Sequence, residues 1–424
     1  MVRNLSARLQ TLFVLIGLVV LFGIASPHFL TTDNLLNVMQ QSAINAILGI
    51  GLTFVIISGG IDLSVGSILA LCGLVTADLL VGGASVPVAI LGGVAVGLAC
   101  GLISGLVTTF GKIPPFITTL GMMLVARSAA KIYSDSKPIS GLPESFRALS
   151  GDIFGIPVLV IVVAVLYVVA HLVLTRTKLG RYTYAIGGNE QAAWLSGVPV
   201  GHYKIAIYGL SGLMAGVAAV LMTSRLNAAS PLTGEMYELY AIAAAVIGGV
   251  SLMGGEGRVL GTLIGALIMG TLRNGLNALN VPSALEGMVV GGVLVAAVVL
   301  DRARHRGEAK APVGGWRRYR KALVVGVLAV VAVAGAVGIR SSANMIGGGG
   351  DLTVAFVPKA LNSPFWGQMQ EAGEAEAEAL GVNLVSLAAD RETDVERQYQ
   401  IIENLIQQRV DAILLAPSGS KELV

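Results

Sequence analysis

From Leu9 to Leu300 the chain repeats one pattern: apolar runs of about twenty residues, the length that crosses the hydrocarbon core of a bilayer as a helix, broken by short polar, basic or glycine-rich turns. Ten such runs are expected, near 9–26, 41–59, 63–82, 86–109, 115–132, 155–175, 203–224, 238–254, 257–277 and 284–300, the last two open to being partly re-entrant. A further apolar run, Ala322–Ile339, stands between the basic Trp316-Arg-Arg-Tyr-Arg-Lys321 and the linker Gly347-Gly-Gly-Gly350. Beyond that linker the period changes. Leu352–Val357, Asn383–Leu387 and Asp411–Ala416 are short apolar runs with strand character, while Phe365–Leu380 and Val395–Gln408 carry helical spacing. The alternation predicts a parallel sheet with helical crossovers and ligand groups at the C-terminal strand ends.

The expected fold class is therefore an all-α polytopic membrane protein of about ten transmembrane helices plus one anchor helix, followed by a partial α/β parallel-sheet domain. The boundaries read as a membrane domain at 1–305, a basic linker at 306–321, an anchor or signal-like segment at 322–340, a Gly-rich linker at 341–350 and the α/β part at 351–424. The middle segment has two readings. It is a membrane-length run, and its basic flank and Ala332-Val-Ala-Gly-Ala336 also describe a secretory signal.

Loop charge orients the helices, because Lys and Arg are retained on the cytoplasmic side. Starting inside with Arg3 and Arg8, the chain returns to that side at Lys112, at Arg176–Arg181 and at Asp301–Arg306, each a basic site. The 133–154 loop balances Asp135, Glu144 and Asp152 against Lys137 and Arg147. An even number of spans leaves both ends of the first unit inside. The 322–339 run then crosses outward, so residues after about 340 are expected on the extracytoplasmic side.

Composition agrees with a bilayer protein: 54% hydrophobic and 12% charged residues, with 55 glycines, and a mean hydropathy of +0.79. A net charge of +3 argues against a nucleic-acid partner. Cys72 and Cys100 lie in apolar segments, with neither metal spacing nor a disulfide framework. No catalytic constellation and no metal set is apparent, and His171 reads as an interfacial side chain. Gly-x-x-x-x-Gly-Lys-[Ser/Thr] is absent, so the chain lacks the phosphate-cradling loop that would bind ATP; no cofactor is expected on it.

Polar groups inside the apolar runs are the candidates for function. In Ser58-Gly-Gly-Ile-Asp-Leu-Ser-Val-Gly66, Gly59 and Gly60 permit a helix break, and Asp62 or Ser64 either caps the next helix or contacts a solute. Gly59-Gly-Ile-Asp-Leu63 has an echo in Gly248-Gly-Val-Ser-Leu252, running the same way through the membrane, as a parallel duplication would require. Asn45, Arg127, Asn274, Asn277 and Glu286 read as interhelical glue or as pathway residues. In the cytoplasmic loop, Gly187–Val200 encodes a short helix with Asn189 as N-cap, Glu190 in the first turn and a stop at Gly197 and Pro199. That helix either docks a partner or rests on lipid with Trp194 as anchor.

Thr53–Gly66, Gly111-Lys-Ile-Pro-Pro-Phe-Ile-Thr-Thr-Leu-Gly121, Gly188-Asn-Glu-Gln-Ala-Ala193 with Gly197, and Ala245-Val-Ile-Gly-Gly-Val-Ser-Leu-Met-Gly-Gly255 together resemble the membrane permease of ribose-type bacterial ABC sugar importers, over about residues 5–305. The resemblance implies two permease copies around a central pathway and a separate ABC ATPase subunit that holds the ATP. It makes Asn189, Glu190, Ala192, Ala193 and Gly197 the ATPase-coupling loop, and Gly59, Gly60, Asp62 and Ser64 a permease motif. It further implies a sugar-binding protein as partner, a small sugar as substrate and the bacterial cytoplasmic (inner) membrane as location.

The α/β part is similar to the opening of the first lobe of ribose/xylose-type periplasmic sugar-binding proteins, where an Asn-x-Pro-Phe-[Phe/Trp] turn contacts sugar. That points to Asn362, Phe365, Trp366 and Asp390. From the residues alone, Phe365 and Trp366 either stack on a sugar or pack on the sheet. Such receptors have two lobes, so this part is expected to be an incomplete receptor fragment. The function expected is thus a non-enzymatic permease subunit importing a ribose- or xylose-like monosaccharide and carrying a tethered receptor fragment. The alternatives are a membrane-anchored sugar sensor, or an importer of nucleosides or another small polar solute.

Overall fold

A computed structural model describes residues 2–26, 29–279, 287–293, 295, 352–360, 364–389 and 391–418. The divider at 322–339 lies outside them, as does most of the expected span at 284–300. The chain forms two compact units, one from Met1–Ile16 and Leu36–Gly270, the other from Gly17–Leu35 and Thr271–Val424.

Helices dominate the first unit. The long elements are α1 (Val2–Ala25), α2 (Thr32–Ile57), α3 (Val65–Val81), α4 (Val86–Phe110) and α5 (Pro115–Tyr133). A four-residue helix α6 (Glu144–Arg147) interrupts the loop after α5. Then come α7 (Val158–Arg176), α8 (Lys178–Gly188), α9 (Glu190–Leu195), α10 (Val200–Leu226), α11 (Tyr237–Ile247) and α12 (Val259–Ala278). Pro115 opens α5, and Pro87 lies in the first turn of α4, where a missing N–H costs nothing.

Among the described residues five helices, α2, α4, α7, α10 and α12, are long and apolar enough to cross a membrane. The run expected as a span at 238–254 behaves differently. Its helix, α11, stops at Ile247 after 11 residues, a rise of about 16 Å against a hydrocarbon core of about 30 Å. The cause is local: Gly249 takes φ +88°, and its N–H and that of Val250 turn back to the carbonyls of Val246 and Ala245. This is a Schellman stop. Helix α2 ends identically, with Gly59 at φ +82° and the N–H groups of Gly59 and Gly60 on Ile56 and Val55. The sequence echo is thus a structural one, but its register is corrected by one residue: Gly59 matches Gly249, not Gly248.

Helices α4 and α10 cross closely. Gly97, Gly101 and Gly105 lie one turn apart on α4; a Cβ on Gly97 would run into the carbonyl of Gly212, and one on Gly101 into that of Tyr208. Only glycine lets these backbones approach so nearly. Helix α2 is tied to its neighbours by hydroxyls: Thr53 Oγ1 meets Thr262 Oγ1 at 2.7 Å, and the Tyr167 hydroxyl donates to the Ala46 carbonyl at 2.9 Å. The α5–α7 loop folds back onto the helices. Strand β1 (Ile139–Ser140) pairs antiparallel with β4 (Ala228–Ala229), while β2 (Asp152–Ile153) and β3 (Ile156–Pro157) form a small hairpin. Phe146 of α6 is fully buried among Leu74, Ala77, Leu80, Ala130 and Val220.

In the second unit Phe22 and Phe29 pack with Leu272 and Leu276 at the end of α12. The C-terminal part folds as expected from its periodicity: β5 (Thr353–Val357), α13 (Pro364–Leu380), β6 (Asn383–Ser386), α14 (Val395–Gln407) and β7 (Ala412–Leu415), in a parallel sheet of order β6-β5-β7. Val354 stands opposite Leu384 on one side and Ala412 on the other. Ala355, Val357 and Val385 close a small core with Ile401 and Leu405 of α14.

Candidate functional site

The loop between α7 and α10 is built from two capped helices. Thr177 accepts the Gly180 N–H at the start of α8, and extended Asn189 (φ −162°) ends α8 and begins α9. Its Oδ1 accepts the Ala192 N–H at 2.9 Å, so Asn189 satisfies a free donor at the start of α9. Gly197 takes φ +82°, its N–H bonding to Trp194 and that of Val198 to Ala193, the same stop used by α2 and α11.

Helix α9 has two faces. Ala193 is buried with Ile186, Val198 and Val200 beside the edge-to-face pair Tyr182–Tyr203, whose centroids are 4.7 Å apart. The side chains of Glu190, Ala192, Trp194 and Leu195 face outward, Trp194 65% and Leu195 70% exposed. Glu190 is held by Lys204 of α10 at 2.6 Å, and a shallow groove runs between Glu190, Gln191, Trp194 and Val200. A helix this short cannot be stable in isolation. Its cap, its stop, one buried alanine and one ion pair fix it as a rigid knob.

Asp62 sits deep among the helices at 1% exposure. Its Oδ1 accepts the Ser64 N–H at 2.9 Å and the Ser64 hydroxyl at 2.6 Å, and its Oδ2 accepts the Ser211 hydroxyl of α10 at 2.8 Å. The expected cap of α3 is corrected accordingly. Ser64 occupies the N-cap position, but its side chain makes no capping bond; it donates to Asp62, which organises the turn before the helix. Gly60 leaves room for the Tyr208 hydroxyl, which a Cβ there would strike. Thr119 of α5 donates to the Ile61 carbonyl at 3.1 Å. The break after α2 is thus held from α5 and α10.

Arg127 of α5 donates to the carbonyls of Pro231 (2.6 Å) and Thr233 (2.9 Å), bracing the turn between α10 and α11. Asn45 Oδ1 is buried without a hydrogen-bond partner. Asn277 accepts from Arg397 at 3.0 Å, and Asn274 meets Asn404 at 3.5 Å, all within the second unit. Glu286 lies outside the described residues. Lys204, Ser211 and Gly187 were not singled out by sequence. Lys204 had a signal, a cation near the start of an apolar run fourteen residues after Glu190; Ser211 had none.

In the α/β part, Asn362 and Asp390 fall outside the described residues. Phe365 is 59% exposed and edge-to-face with Trp366 at 4.9 Å, while the Trp366 indole N–H donates to Glu392 at 3.3 Å. Phe365 therefore does not pack on the sheet, one of its two expected roles. The strand ends are tied by Gln398, whose amide donates to the Ala416 carbonyl at 2.8 Å and accepts the Ser418 N–H at 2.6 Å.

Comparison with known proteins assigns this architecture. Residues 34–298 match a family described as "Branched-chain amino acid transport system / permease component", and residues 354–424 match a periplasmic binding protein domain. The chain is 48% identical over 288 residues to the ribose import permease protein RbsC of Bacillus subtilis, covering 67% of this chain and 89% of that one. It is 43% identical over 295 residues to the D-allose transport system permease protein AlsC of Escherichia coli, covering 69% and 90%. To the L-arabinose transport system permease protein AraH of the same organism it is 38% identical over 283 residues, covering 66% and 86%. No solved structure matches. The chain belongs to the permease family of bacterial ABC importers, in its ribose-type branch, as a multi-pass membrane subunit that is not an enzyme, with a periplasmic-binding-protein-like segment at its C-terminal end.

Proposed function

We propose that this chain is the pathway-forming subunit of a monosaccharide importer, that two copies assemble around the pathway, and that a separate ATPase drives them by docking on α9. One observation carries the docking assignment: α9 is locked from beneath by Ala193 and by the Glu190–Lys204 pair, yet offers Trp194 and Leu195 outward. Aromatic and large apolar side chains on a rigid support are what a protein cleft grips. Alternating access needs a partner that binds two conformations differently, and ATP on the docked subunit supplies that free energy.

The substrate class rests on relatives named for ribose, D-allose and L-arabinose, all sugars, in preference to the amino acids in the family's description. Ten spans remain the reading of the membrane domain, with α11 and the turn-rich 248–258 segment together counted as one of them. Helices α2 and α11 then both descend toward the α9 side, and α12 returns. The receptor-like segment lies on the extracytoplasmic side, a reading supported by the contact of Arg397 with Asn277 at the far end of α12. Domain limits at 305, 321, 340 and 350 accord with the same topology, and the chain itself binds no cofactor.

The test is uptake of labelled ribose, allose and arabinose by cells expressing the chain with its ATPase subunit and a sugar receptor. ATP-dependent uptake of at least one sugar, lost in a Trp194→Ala/Leu195→Ala variant that also releases the ATPase, is the expected result. Uptake of a nucleoside instead, or retention of the ATPase by that variant, overturns the substrate or the docking assignment respectively.

A further inference from the structure

We propose that the glycines at the end of α8 form a main-chain junction through which displacement of α9 reaches both helix breaks at once. This rests on the reading of α9 as the docking knob and supplies the route leading away from it.

Gly187 and Gly188 immediately precede Asn189, the cap of α9. The N–H of Gly255, in the segment after the α11 break, donates to the carbonyl of Ile57, the last residue of α2, at 2.8 Å. Gly187 presses into that bond. A Cβ on Gly187 would run into the Ile57 carbonyl and stand 2.6 Å from the Gly255 nitrogen. Gly254, at φ +81°, faces the same point from the other side, where its added Cβ would lie 3.1 Å from Gly59 Cα and 2.8 Å from the Gly187 oxygen. One on Gly255 would meet Gly188 Cα at 3.0 Å. A second tie runs alongside, the Tyr184 hydroxyl of α8 donating to the Gly257 carbonyl at 2.7 Å.

Three chain segments thus touch main chain to main chain, with no side chain between them. Packed side chains absorb small shifts by changing rotamer; backbones in contact have no such freedom, so motion of one segment moves the others. Helices α4 and α10 also meet through glycine, but both are continuous there. At Gly187 the two partners are the ends of broken helices, where a main-chain shift re-aims the downstream chain: Asp62 and α3 on one side, the 248–258 segment on the other. Gly187, Gly254 and Tyr184 are positioning residues in this scheme and touch no solute.

The test uses cells expressing the full chain with its ATPase subunit and a sugar receptor, with labelled ribose, allose and arabinose as probes. Uptake is divided by the amount of ATPase recovered on the permease, and sugar-stimulated ATP hydrolysis is read on the same membranes. Gly187→Ala is expected to keep the ATPase bound while lowering uptake per assembled complex at least tenfold and abolishing sugar stimulation. Tyr184→Phe is expected to lower it severalfold. Wild-type uptake per complex in either variant overturns the junction. Should Gly187→Ala fail to insert, Tyr184→Phe decides. Failure of the docking reading appears separately, as ATPase still bound to the Trp194→Ala/Leu195→Ala variant.

Discussion

Lys204 Nζ lies 2.6 Å from Glu190 Oε2, and the two ends of this ion pair are unequally solvated: the lysine side chain is 16% exposed, the glutamate 55%. The asymmetry gives a directional prediction. Removing the glutamate strands a nearly buried ammonium, whereas removing the lysine leaves an acid that water can solvate. Glu190→Ala should lower stability by about 1 kcal/mol and Lys204→Met by less, as partly exposed pairs contribute little. Thermal unfolding of detergent-solubilised protein checks the order; the reverse order would mean the pair is not formed. Glu190→Lys should release the ATPase altogether, read by co-purification.

The cap and the stop of α9 are separable from its outward side chains. Asn189→Ala removes the oxygen that accepts the Ala192 N–H and should cost about 1 kcal/mol. Gly197→Ala forces a Cβ into φ +82°, at a cost of about 1 kcal/mol or more. Both should weaken ATPase recovery, with Asn189→Ser restoring most of it and Gly197→Asn part of it. Equal recovery with Asn189→Ala and Asn189→Ser would mean that the cap does not hold the knob.

Asp62 accepts three hydrogen bonds in a site without water access. Ser211→Ala should remove about 0.5–1.5 kcal/mol from that network, the usual net value of one hydrogen bond, and should loosen the α2 break without changing α9. Hydrogen exchange across residues 58–64 should rise in Ser211→Ala and stay at wild-type level in Ser211→Thr. Unaltered exchange in Ser211→Ala would show that α5 alone holds the turn.

At the crossing of α4 and α10 there is no room for a side chain. Gly101→Leu should prevent assembly of the membrane unit, and Gly121→Leu, whose site has nothing within 4 Å, should be tolerated. Yield of inserted, monodisperse protein is the readout.

A control comes from the loop between α5 and α7. Lys137 holds the Asp135 carboxyl below the usual carboxylate range, and Asp135 in turn raises the Lys137 ammonium. Whatever the pair contributes is present between about pH 4 and about pH 10, and is lost on acidification as Asp135 protonates and at high pH as Lys137 deprotonates. Both side chains stand in solvent, so Lys137→Ala should leave the unfolding temperature unchanged at pH 7 in moderate salt.

Much of this was legible in the chain because local rules decide it. The strands and helices after Gly350 obey their periodicity to within a residue or two, and Asn189, Glu190 and Gly197 announced a capped helix by residue type alone. Less legible were choices made between equals. Gly248 and Gly249 are both able to take a left-handed conformation, and only packing against Gly261 selects the second, leaving Gly248 in the helical region. The length of α11 was hidden because hydropathy continues past the point where hydrogen bonding stops. Ser211 had no signal at all: an isolated serine in an apolar helix acquires its role from an aspartate 149 positions away.

The short α11 has one more consequence. Between Ile247 and Val259 the backbone is non-helical, and its peptide groups find separate partners: Ser251 N–H on Glu256, Gly254 N–H on Ser251 and Gly255 N–H on Ile57. Non-helical backbone in a membrane domain is tolerated only where protein covers it or it lines a water-filled cavity, and here α8 and the end of α2 supply the cover at Gly255 and Gly257.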